Sequence, residues 1–265
     1  MPITLLYVVY KMLSKVLATG IKGVLEEVIH VDQVGFMNNR NSGEAVRLII
    51  DDMFCFFNEE SDDKACSYLI AVDFEKAFDS VSHTFLFRVL ERFGFGPSFC
   101  SWVKTIYSNI SSCVMNGGFA TGYFDIKQGV RQGDPLLPYL FIIAIEILAT
   151  VVRNDEAIKG VNIGGIEVKQ DLYAYDMTIF VRNKESVERV KEIYTLFKKI
   201  SGLRVNADKT DNMKLGINKD KSEKLSFGNV VKEIKILGVY FALDVRIREE
   251  LNYKEILSKI KKTSR

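Results

Sequence analysis

Two carboxylates stand where a phosphoryl-transfer site could be built. Asp73 ends the apolar run Tyr68 to Val72, which has the continuous pattern of a buried strand. Asp176 lies about a hundred residues on, in Leu172-Tyr173-Ala174-Tyr175-Asp176-Met177-Thr178-Ile179-Phe180, where apolar and aromatic residues flank a polar pair as in strand, tight turn, strand. Acids at strand ends and hairpin tips suit hard divalent cations, which take oxygen ligands from converging segments. Two such ions could activate an attacking hydroxyl and stabilise a leaving phosphate in an in-line displacement. The plain alternative for either acid alone is a solvated turn residue.

The order of the motifs narrows this choice. Asp73-Phe74-Glu75-Lys76-Ala77-Phe78-Asp79-Ser80, then Gln132-Gly133-Asp134-Pro135-Leu136, then Tyr173-Ala174-Tyr175-Asp176 resembles the palm motifs of reverse transcriptases, most nearly the LINE-type enzymes of non-LTR retrotransposons. The resemblance runs from about Pro2 to about Phe241. It implies RNA-directed DNA polymerase activity with two Mg²⁺ ions, and as partners an RNA template, a DNA primer and deoxynucleoside triphosphates. It assigns catalysis to Asp73, Asp176 and Lys209, with Asp73 and Asp176 also holding metal. Phe78, Gln132, Gly133 and Arg40 are its substrate-binding residues.

One position departs from the family pattern. The hairpin usually reads Tyr/Phe-Ala-Asp-Asp, and Tyr175 occupies the place of the first Asp. A phenol with a pKa near ~10 is normally protonated and a poor Mg²⁺ ligand. Weak or absent polymerisation is the expectation. Met1 stands where the family has an Arg at the triphosphate, and the expectation is a fragment or degenerate copy with most of the thumb missing.

Other assignments keep two readings. Lys209, in Ser201-Gly202-Leu203-Arg204-Val205-Asn206-Ala207-Asp208-Lys209-Thr210, is a general acid for the leaving pyrophosphate or a solvated loop lysine. Phe78 either packs under the deoxyribose and excludes a 2′-hydroxyl, or is a core ring. Arg40 and Arg47 are candidates for template or phosphate contact, with a solvated face the alternative for Arg47.

The elements that must position these residues are legible in part. Of 265 residues 48% are apolar, which indicates a globular chain with ample core. A net charge of +2 gives no global signature of nucleic-acid binding, so contacts must come from local patches. Cys55, Cys66, Cys100 and Cys113 show no metal spacing and read as reduced thiols of a nuclear or cytoplasmic, not secreted, protein. Helical spacing through Met12, Val16, Leu17, Ile21, Val24, Leu25 and Val28 predicts an amphipathic helix. Ser42 is a candidate cap for a following helix. Further helices are predicted over 83–95, 99–107 and 185–200, and a hairpin around Asn116-Gly117-Gly118. Asp79 is the expected cap of a helix beginning near Ser80. The run Tyr139 to Val152, broken by Glu146 and shorter than the ~20 residues of a membrane span, reads as a buried helix, so no membrane is expected. Tyr253 to Arg265 reads as the start of a basic helix.

The fold is expected to be α+β: right-hand polymerase fingers on a palm whose small antiparallel sheet is backed by helices. Fingers span 1–66, palm 67–227, and a primer-gripping hairpin (Ile234 to Phe241) with the start of a thumb 228–265. A non-catalytic nucleic-acid-binding remnant is the alternative function; a purely structural module finds support only in the near-neutral charge.

Overall fold

In a computed structural model, residues 6–41, 43, 46–47, 67–131, 133–163, 165–215 and 225–263 are described. Met1, Ser42, Gln132, Cys55 and Cys66 lie outside them. A five-stranded sheet is built from β1 (Ser67–Val72), β8 (Gln170–Tyr173), β9 (Asp176–Val181), β10 (Asp211–Leu215) and β11 (Asn229–Val231), in the order β11-β10-β1-β9-β8. Four strands are antiparallel, and β11 joins β10 in parallel at one edge.

The strands alternate between two cores. Tyr68, Ile70, Val72, Met177, Ile179 and Val181 belong to the main core. At its centre lies α5 (Leu137–Asn154), packed on α1 (Val8–Val28), α3 (His83–Arg92) and α6 (Lys184–Ser201). α5 has the length and apolarity of a membrane span, but its residues from Leu140 to Glu146 are all buried within the protein. The opposite face carries Leu69, Phe180, Met213 and Leu215 against Ile234, Ile236 and Phe241. Those three come from the hairpin of β12 (Glu233–Ile236) and β13 (Val239–Ala242), turned by left-handed Leu237 and Gly238. This is the hairpin expected over Ile234 to Phe241. The remaining elements are α2 (Ala77–Ser80), α4 (Pro97–Tyr107), the ribbon β2–β5 described below, the small hairpin β6 (Val161–Ile163) and β7 (Ile166–Val168), and α7 (Val245–Thr263).

Several expectations need correction. α1 buries Ser14, Ala18, Ile21 and Leu25, while Met12, Val16 and Val24 face solvent. Its buried stripe is chosen by small residues that let α1 approach α5, which an apolar count does not see. The α3 cap is Ser82, whose side chain accepts from the Phe85 N–H, and Asp79 lies within α2 instead. The last helix begins at Val245, eight residues before Tyr253, because Asp244 Oδ1 accepts from the Arg246 N–H at 2.8 Å.

Beside β8 a buried polar network ties three segments. Arg153 on α5 forks onto Asp32 at 2.8–3.0 Å and reaches Glu146 Oε1 at 3.2 Å. Gln170 donates to the same Asp32 at 3.1 Å. Asp171, buried on β8, is pushed up to about 7 by burial and then by the Asp32 charge. The folded chain holds that proton up to about pH 7, whereas the unfolded chain releases it near ~3.9. Stability therefore falls as the pH rises between those values. Asp171→Asn is expected to stabilise the protein at pH 8 by roughly 2–4 kcal/mol, with the gain vanishing below about pH 4. Urea unfolding at the two pH values checks this; equal gains at both would refute it.

Candidate active site

The β1–β9 register runs from Tyr68 opposite Val181 to Val72 opposite Met177. One step further it sets Asp73 beside Asp176, two acids emerging from neighbouring central strands on the face that carries the β12–β13 hairpin. A cleft of about 520 Å³ opens there, lined by Asp73, Asp176, Thr178, Lys209 and, from the hairpin, Lys235 and Gly238. Asp211 also lines it; it pairs with Ala71 on β10 and so shares the face of the other two acids. Sequence reasoning missed Asp211, although alternation along a strand starting after Thr210 could have found it.

The backbone fixes this corner. The Asp73 N–H donates to Thr210 Oγ1 at 3.3 Å, and the Asn206 N–H donates to the Asp73 carbonyl at 2.8 Å. The Glu75 N–H donates to the Arg204 carbonyl at 2.8 Å. These bonds carry Lys209 to the acids. A second cleft of about 1160 Å³ shares Asp73 and Lys209 and adds Phe78, Gln128, Gly133, Leu137 and Tyr175. The structure therefore brings together Asp73, Asp176, Lys209, Phe78 and Gly133. Arg40 is elsewhere: three donors of its guanidinium go to the carbonyls of Ile29, His30 and Gln33 at 2.5–3.1 Å. There it ties together the loop that follows α1.

Tyr175 is 37% exposed. Its ring meets Phe78 edge-on at 5.3 Å and Phe141 at 6.4 Å. Burial, then the charges of Asp176 and Asp73, push its pKa up, so the phenol stays protonated beside two acids. Asp176 is raised by burial and then by Asp73. Asp211 is raised by burial, with an opposing hydrogen bond to Asn229.

The hairpin turn is held from outside. Ala174 has φ +59°, a left-handed conformation that costs a non-glycine residue roughly 1–3 kcal/mol. Gln33 is fully buried, and its amide accepts from the Ala174 N–H at 2.9 Å and donates to the Ala174 carbonyl at 3.2 Å. Gly35 lies flat on the same peptide, where a Cβ would collide with the Ala174 nitrogen. Neither role is visible in a sequence, because the partners are far apart in it, 141 positions for Gln33 and Ala174.

Asp134 of the Gln-Gly-Asp-Pro motif is 4% exposed and carries another unforeseen role. It accepts from Tyr10 at 2.6 Å, Tyr107 at 2.9 Å and the Leu136 N–H at 2.9 Å, and from Ser14. Arg131 lies over the Tyr10 ring at 4.9 Å. Four donors from α1, α4 and its own turn thus lock the motif loop against α1.

Among the described residues, no three His, Cys, Asp or Glu side chains form a ready-made cation group. What the site offers is a pair of hard oxygen donors, Asp73 and Asp176, close enough for one charge to disfavour the other. A divalent cation would relieve that repulsion, so this donor chemistry fits one.

Residues 1–241 match the family described as Reverse transcriptase (RNA-dependent DNA polymerase). The chain belongs to this reverse transcriptase family. It is 30% identical over 246 residues to the Transposon TX1 uncharacterized 149 kDa protein of Xenopus laevis, covering 92% of this chain and 18% of that protein. It is 26% identical over 210 residues to the Retrovirus-related Pol polyprotein from type-1 retrotransposable element R2 of Popillia japonica, covering 79% of this chain and 29% of that protein. This reverse transcriptase domain is thus of the LINE-type, non-LTR retrotransposon kind that its motifs resemble. It spans less than a third of the length of these two curated relatives. Among solved structures it is similar to telomerase from Candida tropicalis in complex with a telomeric RNA fragment, with TM-score 0.60, 13% identity and coverage of 89% of this chain and 36% of that one. That likeness shows a shared fold and supports the expected fingers-and-palm α+β architecture.

Proposed function

We propose that this reverse transcriptase domain binds an RNA template with a DNA primer and takes deoxynucleoside triphosphates over Phe78. We further propose that its DNA synthesis is weak or absent because Tyr175 stands where a carboxylate is needed. The observation that carries this reading is the Asp73–Asp176 pair with a neutral phenol beside it. Asp73 and Asp176 would hold Mg²⁺, which when bound supplies Lewis-acid stabilisation of the developing phosphate charge. The family's two ions would share two acids here, since the Tyr175 hydroxyl keeps its proton. Lys209 borders both clefts and would give a proton to the leaving pyrophosphate. Gly133, at φ +85° with no atom near its missing Cβ, leaves room for a base pair to approach the backbone. Gln132 would join it by family resemblance. The nucleus or cytoplasm, where such templates occur, is the proposed location, away from any membrane.

A second reading, a silent nucleic-acid-binding domain, is favoured by the same phenol. Primer–template binding and Mg²⁺-dependent extension on an RNA template separate the two. Salt-sensitive binding is expected in both the natural chain and Asp73→Ala. Trace extension is expected only in the natural chain. Robust extension by the natural chain would overturn the impairment, and absence of binding would overturn the nucleic-acid reading.

A further inference from the structure

The segment between α4 and the Gln-Gly-Asp-Pro motif folds into a two-stage ribbon, β2 (Ser111–Ser112), β3 (Met115–Asn116), β4 (Phe119–Ala120) and β5 (Phe124–Asp125). Gly117 and Gly118, both left-handed, turn it. Asn116 pairs with Phe119 at the tip, and Ser112 pairs with Phe124 nearer the root, with one extra residue on the returning strand between them. Alternation keeps Ser112, Val114 and Asn116 on one face, so Phe119 and Phe124 share that face. Phe119 is 82% exposed, Tyr123 78% and Phe124 49%. Three large rings within six residues, held out in water on a ribbon, are more than the scattered exposure of an ordinary surface.

The ribbon's root is fixed to the wall of the larger cleft. The Ile126 N–H donates to the Ile110 carbonyl at 2.8 Å, and just beyond, the Val130 N–H donates to the Phe78 carbonyl at 2.7 Å. Gln128 bridges to Ser82 and itself lines that cleft with Phe78 and Gly133. A strand leaving the cleft past Gln128 would therefore meet the ribbon.

We propose that this ribbon is a stacking platform for unpaired nucleobases of a single-stranded template adjoining the cleft. The inference rests on the nucleic-acid reading proposed above. From Asn109 to Phe124 no side chain is charged, in a chain that is 26% charged, and the ribbon's one carboxylate, Asp125, stands at its root, away from Phe119 at the tip. Exposed rings stack on any base through its π-face, and Asn116 and Ser112 add hydrogen bonding without charge. A protein partner adding a strand would find little to pair with, because each ladder is two residues long.

The test is fluorescence anisotropy with a short labelled oligouridine RNA, using the natural chain, the double variant Phe119→Ser/Phe124→Ser, and Met115→Ser on the other face of the ribbon. All three sites are exposed, and circular dichroism with thermal melting confirms that the variants fold. The double variant is expected to bind ~10- to 100-fold more weakly, and Met115→Ser within about a factor of two of the natural chain. The slope of log affinity against log salt should not change, since lost stacking releases no counterions. Unchanged affinity in the double variant, or an equal loss in Met115→Ser, overturns the platform while leaving the cleft reading intact. A natural chain that sediments as a dimer, broken by the double variant with RNA affinity unchanged, assigns the rings to a second copy instead. A natural chain that binds no RNA at any salt overturns both proposals.

Discussion

Tyr175→Asp is expected to raise Mg²⁺-dependent primer extension on an RNA template by on the order of 10²- to 10³-fold over the natural chain. The residue's neighbours explain the size of the effect. Asp73 and Asp176 already face each other across the central strands, and the phenol lies within reach of both charges. A third carboxylate at that point would add an anionic oxygen donor where the natural chain has only a protonated hydroxyl. Losing the ring contacts to Phe78 and Phe141 costs roughly 1–2 kcal/mol of stability, since such edge-on pairs contribute ~0.5–1.5 kcal/mol each. The added negative charge should also make stability depend on the cation, so Mg²⁺ is expected to raise the thermal midpoint of the variant more than that of the natural chain. Tyr175→Phe, which removes only the hydroxyl, should extend no better than the natural chain. If Tyr175→Asp binds primer–template normally and still does not extend, the defect lies outside the acids.

The largest stability loss is expected at Asp134, where Asp134→Ala should cost about 3–5 kcal/mol. For a chain of this size that lowers the melting midpoint by roughly 10 °C. Four donors converge on this buried carboxylate, and removing it takes the acceptor from the hydroxyl of Tyr107, a residue only 2% exposed. Charge-assisted bonds in a dry site are each worth more than neutral ones, though their losses do not add. Double-mutant cycles pairing Asp134→Ala with Tyr10→Phe and Tyr107→Phe apportion the network. A midpoint shift below about 2 °C would show that water replaces the lost acceptor.

The sequence made the local features legible. Asp73 at a strand end, the Asp176 hairpin, the Gly117-Gly118 turn and the buried α5 all follow from periodicity and turn chemistry over a few residues. What it concealed depends on partners distant in the chain. The Tyr10 and Ser14 bonds to Asp134 span 124 and 120 positions, and no local pattern marks a serine as the centre of a buried helix face. The Arg40 bonds to the carbonyls of Ile29, His30 and Gln33 are equally hidden, because a guanidinium near a loop suits a phosphate and a backbone carbonyl alike. Ser82 and Asp79 are both of helix-capping type, and only the backbone path decides between them.

The external hold on Ala174 also bears on how this gene can drift. Because Gln33 and Gly35 fix the turn through its backbone, the fold does not require any particular side chain at position 175. An exchange there can silence chemistry while costing only the roughly 1–2 kcal/mol of its two ring contacts, so the product still folds and escapes cellular quality control. Residue 33 is the reverse case: its loss would be filtered out as misfolded protein long before any assay of synthesis. A survey of sibling copies of this element should therefore find position 175 varied among well-folded products, with changes at position 33 confined to those that fail to accumulate.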